Sequence, residues 1–172
     1  MDLRQLIRVI PGFPEPGVSF KDITTLLKTP QALRYVVQEM ARYYADKDVD
    51  VITGIESRGF FFSAPLAYEM GLGLVPIRKP GKLPADKLSV QYSLEYGTDS
   101  LEIHRDAIVP GQRVLLVDDL LATGGTFSAA VELIRQLGGI VVGGAFLVEL
   151  ASLGGRKRLG DMDILSLVVY DD

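Results

Sequence analysis

Arg113-Val114-Leu115-Leu116-Val117-Asp118-Asp119-Leu120-Leu121-Ala122-Thr123-Gly124-Gly125-Thr126 is the stretch that decides the fold. Four consecutive apolar residues, Val114 to Val117, predict a strand buried on both faces, as in a parallel sheet covered by helices. Two adjacent carboxylates follow at its C-terminal end, the edge at which open α/β sheets bind ligands. A turn rich in Gly and Thr then leads into a helix predicted from Thr123 to about Leu137. Gly124 and Gly125 let the backbone come close to an anion, because no Cβ stands in the way. The unpaired N–H groups of the first helical turn and the helix dipole favour negative charge there. Thr123 and Thr126 add hydroxyl donors. Ala122 to Thr126 therefore reads as a phosphate cradle, and the Asp118–Asp119 pair suits the 2′ and 3′ hydroxyls of a ribose, whose donors match carboxylate acceptors. The segment has neither the lysine of a Walker A loop nor the G-x-G-x-x-G spacing of a dinucleotide fold. Taken singly, an acidic pair can cap a helix and a Gly-Gly can be a plain turn; the order strand, acidic pair, turn, helix points to the sugar phosphate.

Working outward, strands are expected at Val49–Gly54, Leu74–Arg78, Leu101–His104, Arg113–Val117, Ile140–Val148 and Ile164–Val168. Helices are expected at residues 2–9, from about Pro30 to Ala45, and from the turn Glu56-Ser57-Arg58-Gly59 to about Met70, with Gly71 as C-cap. Pro11, Pro14, Pro16, Gly12 and Gly17 exclude regular structure between the first two helices. Residues 79–97 contain Pro80, Gly81, Pro84 and Gly97 without a clear period, and a long irregular segment inside a domain is often a functional lid. The alternation of strands and helices predicts one α/β domain over residues 1–172, built on a mostly parallel twisted sheet flanked by helices.

Composition narrows the function. Apolar residues make up 48% of the 172, enough for a sizeable core. Lys and Arg total 18 against 22 Asp and Glu, a net charge of -4, and the longest basic run is Arg156 to Arg158. A nucleic-acid binder would concentrate positive charge on one face, so nucleic acid is not an expected partner. The chain has no cysteine, which excludes a disulfide framework or a thiol nucleophile. No apolar run approaches the roughly 18 residues of a membrane span, and Met1 to Ile10 lacks the apolar core of a secretory signal. A soluble, cytoplasmic protein without a membrane partner is expected. The single histidine, His104, falls on the polar face of its strand and is expected at the surface.

The segment 113–126 resembles the phosphoribosyl pyrophosphate (PRPP) signature of the type I phosphoribosyltransferases. Further likeness runs from about residue 11 to residue 155. Phe13-Pro-Glu-Pro-Gly17-Val-Ser-Phe20-Lys-Asp22 is similar to the N-terminal hood of the adenine branch. Gly54-Ile-Glu-Ser57-Arg58-Gly59-Phe60 resembles its pyrophosphate loop. Arg78-Lys79-Pro-Gly-Lys82-Leu-Pro with Tyr92-Ser-Leu-Glu95-Tyr96-Gly resembles its flexible catalytic loop. The resemblance implies a type I phosphoribosyltransferase fold with a small hood over about residues 1–30 and a mobile loop at about 79–97. It implies the reaction of adenine with PRPP to give AMP and diphosphate, in purine salvage. Asp118 and Asp119 would then hold ribose, Ala122, Thr123, Gly124, Gly125 and Thr126 the 5′-phosphate, and Ser57, Arg58, Arg78, Lys79 and Lys82 the pyrophosphate. Phe20 and Leu120 would sandwich the base, with Val18, Ser19 and Arg58 at its edge, and Glu95 would be the catalytic carboxylate near the purine N7. Mg²⁺ would arrive on the substrate rather than in a protein metal cage.

The resemblance also implies a homodimer, in which Arg78 reaches a pyrophosphate across the interface, and a strained, sometimes cis, peptide matching Ser57–Arg58. Ser19 and Lys21 depart from the adenine pattern, where an aliphatic residue and Arg are usual. A transferase for a 6-oxopurine is therefore the nearest alternative. A PRPP-sensing regulator of the same fold is more distant, because the chain keeps Glu95 and Lys82 and has no basic appendage.

Overall fold

The structure, a computed structural model, describes residues 1–93 and 97–171. Its centre is a five-stranded parallel sheet in the order β4-β3-β7-β8-β9. These strands are β3 (Val51–Ile55), β4 (Gly73–Ile77), β7 (Arg113–Leu121), β8 (Ile140–Leu150) and β9 (Ile164–Tyr170). Two antiparallel hairpins stand apart from it: β1 (Arg8–Pro11) with β2 (Ser19–Asp22), and β5 (Lys87–Ser93) with β6 (Thr98–His104). The helices are α1 (Thr24–Leu27), α2 (Pro30–Tyr44), α3 (Phe60–Met70), α4 (Gly125–Gln136) and α5 (Gly155–Leu159).

The apolar run of β7 faces two cores. Leu115 and Val117 join Val36, Met40, Tyr44, Phe62 and Leu66 of α2 and α3, whereas Val114 and Leu116 join Phe127, Ala130 and Ile134 of α4 and the inner residues of β5 and β6. Period-two alternation sends neighbouring side chains to opposite faces, so where a sheet is covered on both sides consecutive residues of its central strand are apolar, as Val114 to Val117 are. Removing that surface from water stabilises the fold by roughly 25 cal/mol per Å².

Several boundaries differ from the sequence expectations. Residues 2–9 form only a 3₁₀ turn at Arg4–Leu6 before entering β1. Leu3 and Ile7 are buried as an amphipathic helix would require, but pairing of Arg8–Pro11 with Ser19–Asp22 satisfies the backbone instead. The segment 79–97 is not irregular throughout, because β5 occupies Lys87–Ser93. β7 continues past Val117 to Leu121 through its pairing with β8, so the acidic pair lies within the strand, and α4 starts at Gly125 rather than Thr123. His104 is partly exposed at the end of β6, and its Nε2 accepts the Ala85 N–H at 3.3 Å. Among the described residues no helix is long and apolar enough to cross a membrane.

Candidate active site

β3 and β7 are adjacent and parallel, with Gly54 opposite Val117, so the loops that leave their C-terminal ends meet. A cavity of about 340 Å³ opens between them. Its wall brings together Ser57 and Arg58 from the first loop, Lys79 from beyond β4, Asp118, Asp119 and Leu120 from the end of β7, and Ala122 to Thr126 from the turn and helix start that follow. Ile55, Glu56, Leu121 and Phe127 complete the lining.

The turn into α4 has the form of an anion cradle. Gly124 occupies the N-cap with φ 80°, and among the described residues no side chain caps the helix or occupies the N–H groups of its first turn. A Cβ on Gly124 would be strained by that φ and would also meet the Gly155 carbonyl oxygen at 3.1 Å.

The carboxylates are held rather than solvated. Asp119 is buried, and its Oδ2 accepts from Arg58 Nε at 2.9 Å. Its backbone N–H donates to Asp118 Oδ1 at 2.9 Å. Burial raises the Asp118 carboxyl well above the ordinary carboxylate range, and the neighbouring Asp119 charge pushes it the same way. Burial likewise raises Asp119, opposed by Arg58. Without a ligand the pair is therefore reluctant to carry two charges. Hydroxyl donors would favour the doubly ionised form.

The two loops are locked together at Gly59. A Cβ there would lie 2.5 Å from the Ile55 carbonyl oxygen, 2.9 Å from Asp118 Oδ1 and 3.0 Å from the Val117 carbonyl oxygen. A peptide in this loop is cis, but it joins Glu56 to Ser57, one residue before the Ser57–Arg58 bond named from the sequence.

Other predicted residues stand further off. Arg78 does not line the cavity; its Nε and Nη2 donate to the Glu56 carboxylate at 3.2 and 3.3 Å. Burial acts to raise Glu56, but the Lys79 N–H and Arg78 outweigh it and hold the carboxyl below its usual range. Lys79 donates to Tyr92 Oη at 3.0 Å and to Asp99. Burial works against its charge, yet these two partners keep the ammonium above its ordinary value. Lys82 is exposed and outside the cavity wall. In the hood, Val18 and Ser19 are exposed and Phe20 half-buried. The hood reaches the site through Arg58, whose guanidinium lies 5.3 Å from the Phe20 ring centroid, within cation–π range. Leu120 lines the cavity. The two hood departures contact each other, Lys21 Nζ donating to Ser19 Oγ at 3.0 Å. Glu95 lies outside the described residues.

Sequence reading gave no role to Glu56, Tyr92 or Asp99, which hold Arg78 and Lys79. Glu56 stands inside the Gly54–Phe60 loop motif, where a carboxylate is a natural partner for the nearby cations. Asp99 carried no local signal.

The phosphoribosyl transferase domain family matches residues 22–171 of the chain. An adenine phosphoribosyltransferase of Clostridium tetani is 55% identical over 171 residues, 99% of each chain. One from a Cyanothece species is 58% identical over 170 residues, 99% of this chain and all of the relative. The chain belongs to the adenine phosphoribosyltransferase family. Solved members of that family share its architecture. The enzyme of Thermoanaerobacter pseudethanolicus superposes with a TM-score of 0.95 at 54% identity, covering 98% of both chains. The Saccharomyces cerevisiae member, complexed with an imino-altritol bisphosphate and adenine, gives 0.91 at 36% identity over 96% of each.

Proposed function

We infer that this chain is an adenine phosphoribosyltransferase, a pentosyltransferase that displaces diphosphate from C1 of PRPP with a purine nitrogen to give AMP. The observation that carries this reading is the convergence on one cavity of an acidic pair with Asp119 buried and Asp118 half-buried, a Gly-rich helix start and an arginine-bearing loop, in a member of the adenine family. Asp118 and Asp119 would accept hydrogen bonds from the ribose hydroxyls, and Ala122 to Thr126 would enclose the 5′-phosphate. Ser57, Arg58 and Lys79 would face the leaving diphosphate, where developing negative charge needs donors. Arg58 would serve a second purpose, linking the diphosphate side to Phe20 over the base. Phe20, Leu120, Val18 and Ser19 complete the proposed base pocket, and Glu95 is proposed to hold or donate the proton at the purine N7.

Mg²⁺ belongs to the same proposal. The acidic pair offers two carboxylates, and among the described residues no three ligating side chains converge. That suits an ion that takes most of its oxygens from PRPP and water, on which it would neutralise pyrophosphate charge. A homodimer and a cytoplasmic setting complete it. Arg78 faces Glu56 instead of its own cavity, as a residue serving a neighbouring site would. Phe61 and Tyr68 of α3 are 49% and 89% exposed, which supports a covering partner. For a 6-oxopurine the pocket edge would need a donor. Lys21, the cation next to Phe20 in the hood, is buried against Ser19 and the Tyr170 ring, which favours adenine. The test is incubation of purified protein with PRPP, Mg²⁺ and a panel of purines. AMP and diphosphate should form from adenine, with hypoxanthine and guanine far slower. Absence of AMP would overturn the assignment.

A further inference from the structure

The proposed cradle has no cation of its own: residues 118–126 include neither Lys nor Arg. A phosphate monoester brings nearly two negative charges to within one turn of Asp118 and Asp119, whereas a helix terminus supplies only about half a positive charge. Arg58 is taken by Asp119 and Lys79 by Asp99. A compensating charge must come from elsewhere in the fold, and α5 supplies one.

Gly155, the first residue of α5, is pressed so closely on the cradle that a Cβ there would lie 2.3 Å from the Ala122 carbonyl oxygen. Arg156 anchors the same helix from its other side. It donates from Nη2 to Glu149 Oε2 at 2.6 Å and from Nη1 to the Ile164 carbonyl at 3.0 Å. Arg158, three residues after Gly155, shares its helix face. Its Cδ lies 3.5 Å from the position that a Gly124 Cβ would take, and its Nη1 3.6 Å from that of a Gly125 Cβ. The guanidinium shares a second cavity, of about 390 Å³, with Gly125, Ser128 and Glu132. It has no hydrogen-bond or ion-pair partner among the described residues, even with Glu132 on the same wall.

On this basis, and resting on the activity inferred above, we propose that Arg158 is a positioning residue for the 5′-phosphate. Its charge acts through the Gly124–Gly125 backbone to favour the dianion in the cradle and to offset the acidic pair. Arg156 fixes the helix, and Arg158 supplies the field.

The experiment compares wild type with Arg158→Gln and Arg158→Lys, using AMP as probe. For Arg158→Gln, AMP affinity should weaken and KM for PRPP should rise by about tenfold, with KM for adenine and melting temperature unchanged. The ³¹P titration midpoint of bound AMP should move to higher pH, because a neighbouring cation favours the dianion. Arg158→Lys should restore both. A midpoint and an AMP affinity that match wild type in Arg158→Gln would overturn the proposal, as would loss of melting temperature without a change in midpoint. Wild-type protein that binds no AMP would overturn the underlying activity together with it, so the two failures are distinguishable.

Discussion

Replacing Gly59 by Ala sets two effects of opposite sign against each other. Gly59 has helical angles, φ -59° and ψ -27°, at the start of α3, where Ala would ordinarily stabilise by about 0.4–1 kcal/mol through the unfolded chain. The added methyl, however, would lie 2.5 Å from one carbonyl oxygen and 3.0 Å from another, both on strands of the central sheet. It would also sit 2.9 Å from Asp118 Oδ1. Neither strand can retreat without disturbing its neighbours, and overpacking of this kind costs about 1–3 kcal/mol. The clash wins by roughly 1–2 kcal/mol, which for a chain of this size lowers the melting temperature by about 2–8 °C. The carboxylate is the softest of the three contacts, so displacement of Asp118 should raise KM for PRPP more than KM for adenine. Calorimetry and initial rates on Gly59→Ala are the assay, with Gly73→Ala as control, since its nearest neighbour would be 3.9 Å away. Unchanged stability and unchanged KM for PRPP would refute the close approach of the two loops.

Three further outcomes concern single carboxylates. Asp118 titrates high in the fold because burial and Asp119 disfavour its charge, so stability is fully present below the unfolded carboxylate value and lost as pH rises through the folded one. Asp118→Asn should therefore raise the melting temperature at pH 8 and less so near pH 4, while weakening PRPP binding; thermal scans across that range check it. Asp22 is the opposite case: hydrogen bonds from the Thr24 hydroxyl and N–H, then from Arg8, lower it to about 2. Its contribution is present above the unfolded value and lost as pH falls toward 2, and Asp22→Asn should cost about 1–2 kcal/mol at pH 7, measured by urea unfolding. Glu95→Leu should lower turnover at saturating substrates by about 10²–10⁴-fold, and an unchanged rate would remove Glu95 from the chemistry.

The residues differ in how openly they declared this fold. Val114 to Val117 announced a strand buried on both faces because such a strand presents consecutive apolar residues to two cores. Pro30 and the helically spaced Leu33, Val36, Val37, Met40 and Tyr44 marked α2 for a similar local reason. The hairpin strand β5 was visible in principle: Leu88, Val90 and Tyr92 alternate with polar residues, but Pro80, Gly81 and Pro84 dominated the reading of that segment. β1 was not visible, because Leu3, Leu6 and Ile7 also fit a helix, and only the distant partner Ser19–Asp22 settles the conformation. Within the candidate site, the motif residues on β7 and its loop could be named from chemistry and spacing. Asp99 and Arg158 could not, since each acquires its place through a contact between segments distant in sequence. The separation of Arg78 from its own cavity depends on Glu56 in the same way.

A crystal structure of the protein with AMP tests the central claim most directly. The phosphorus should lie against the N–H groups of residues 123–126, with both ribose hydroxyls donating to Asp118 and Asp119. A 5′-phosphate bound anywhere else, with the Gly124–Gly125 turn facing only solvent, would contradict it.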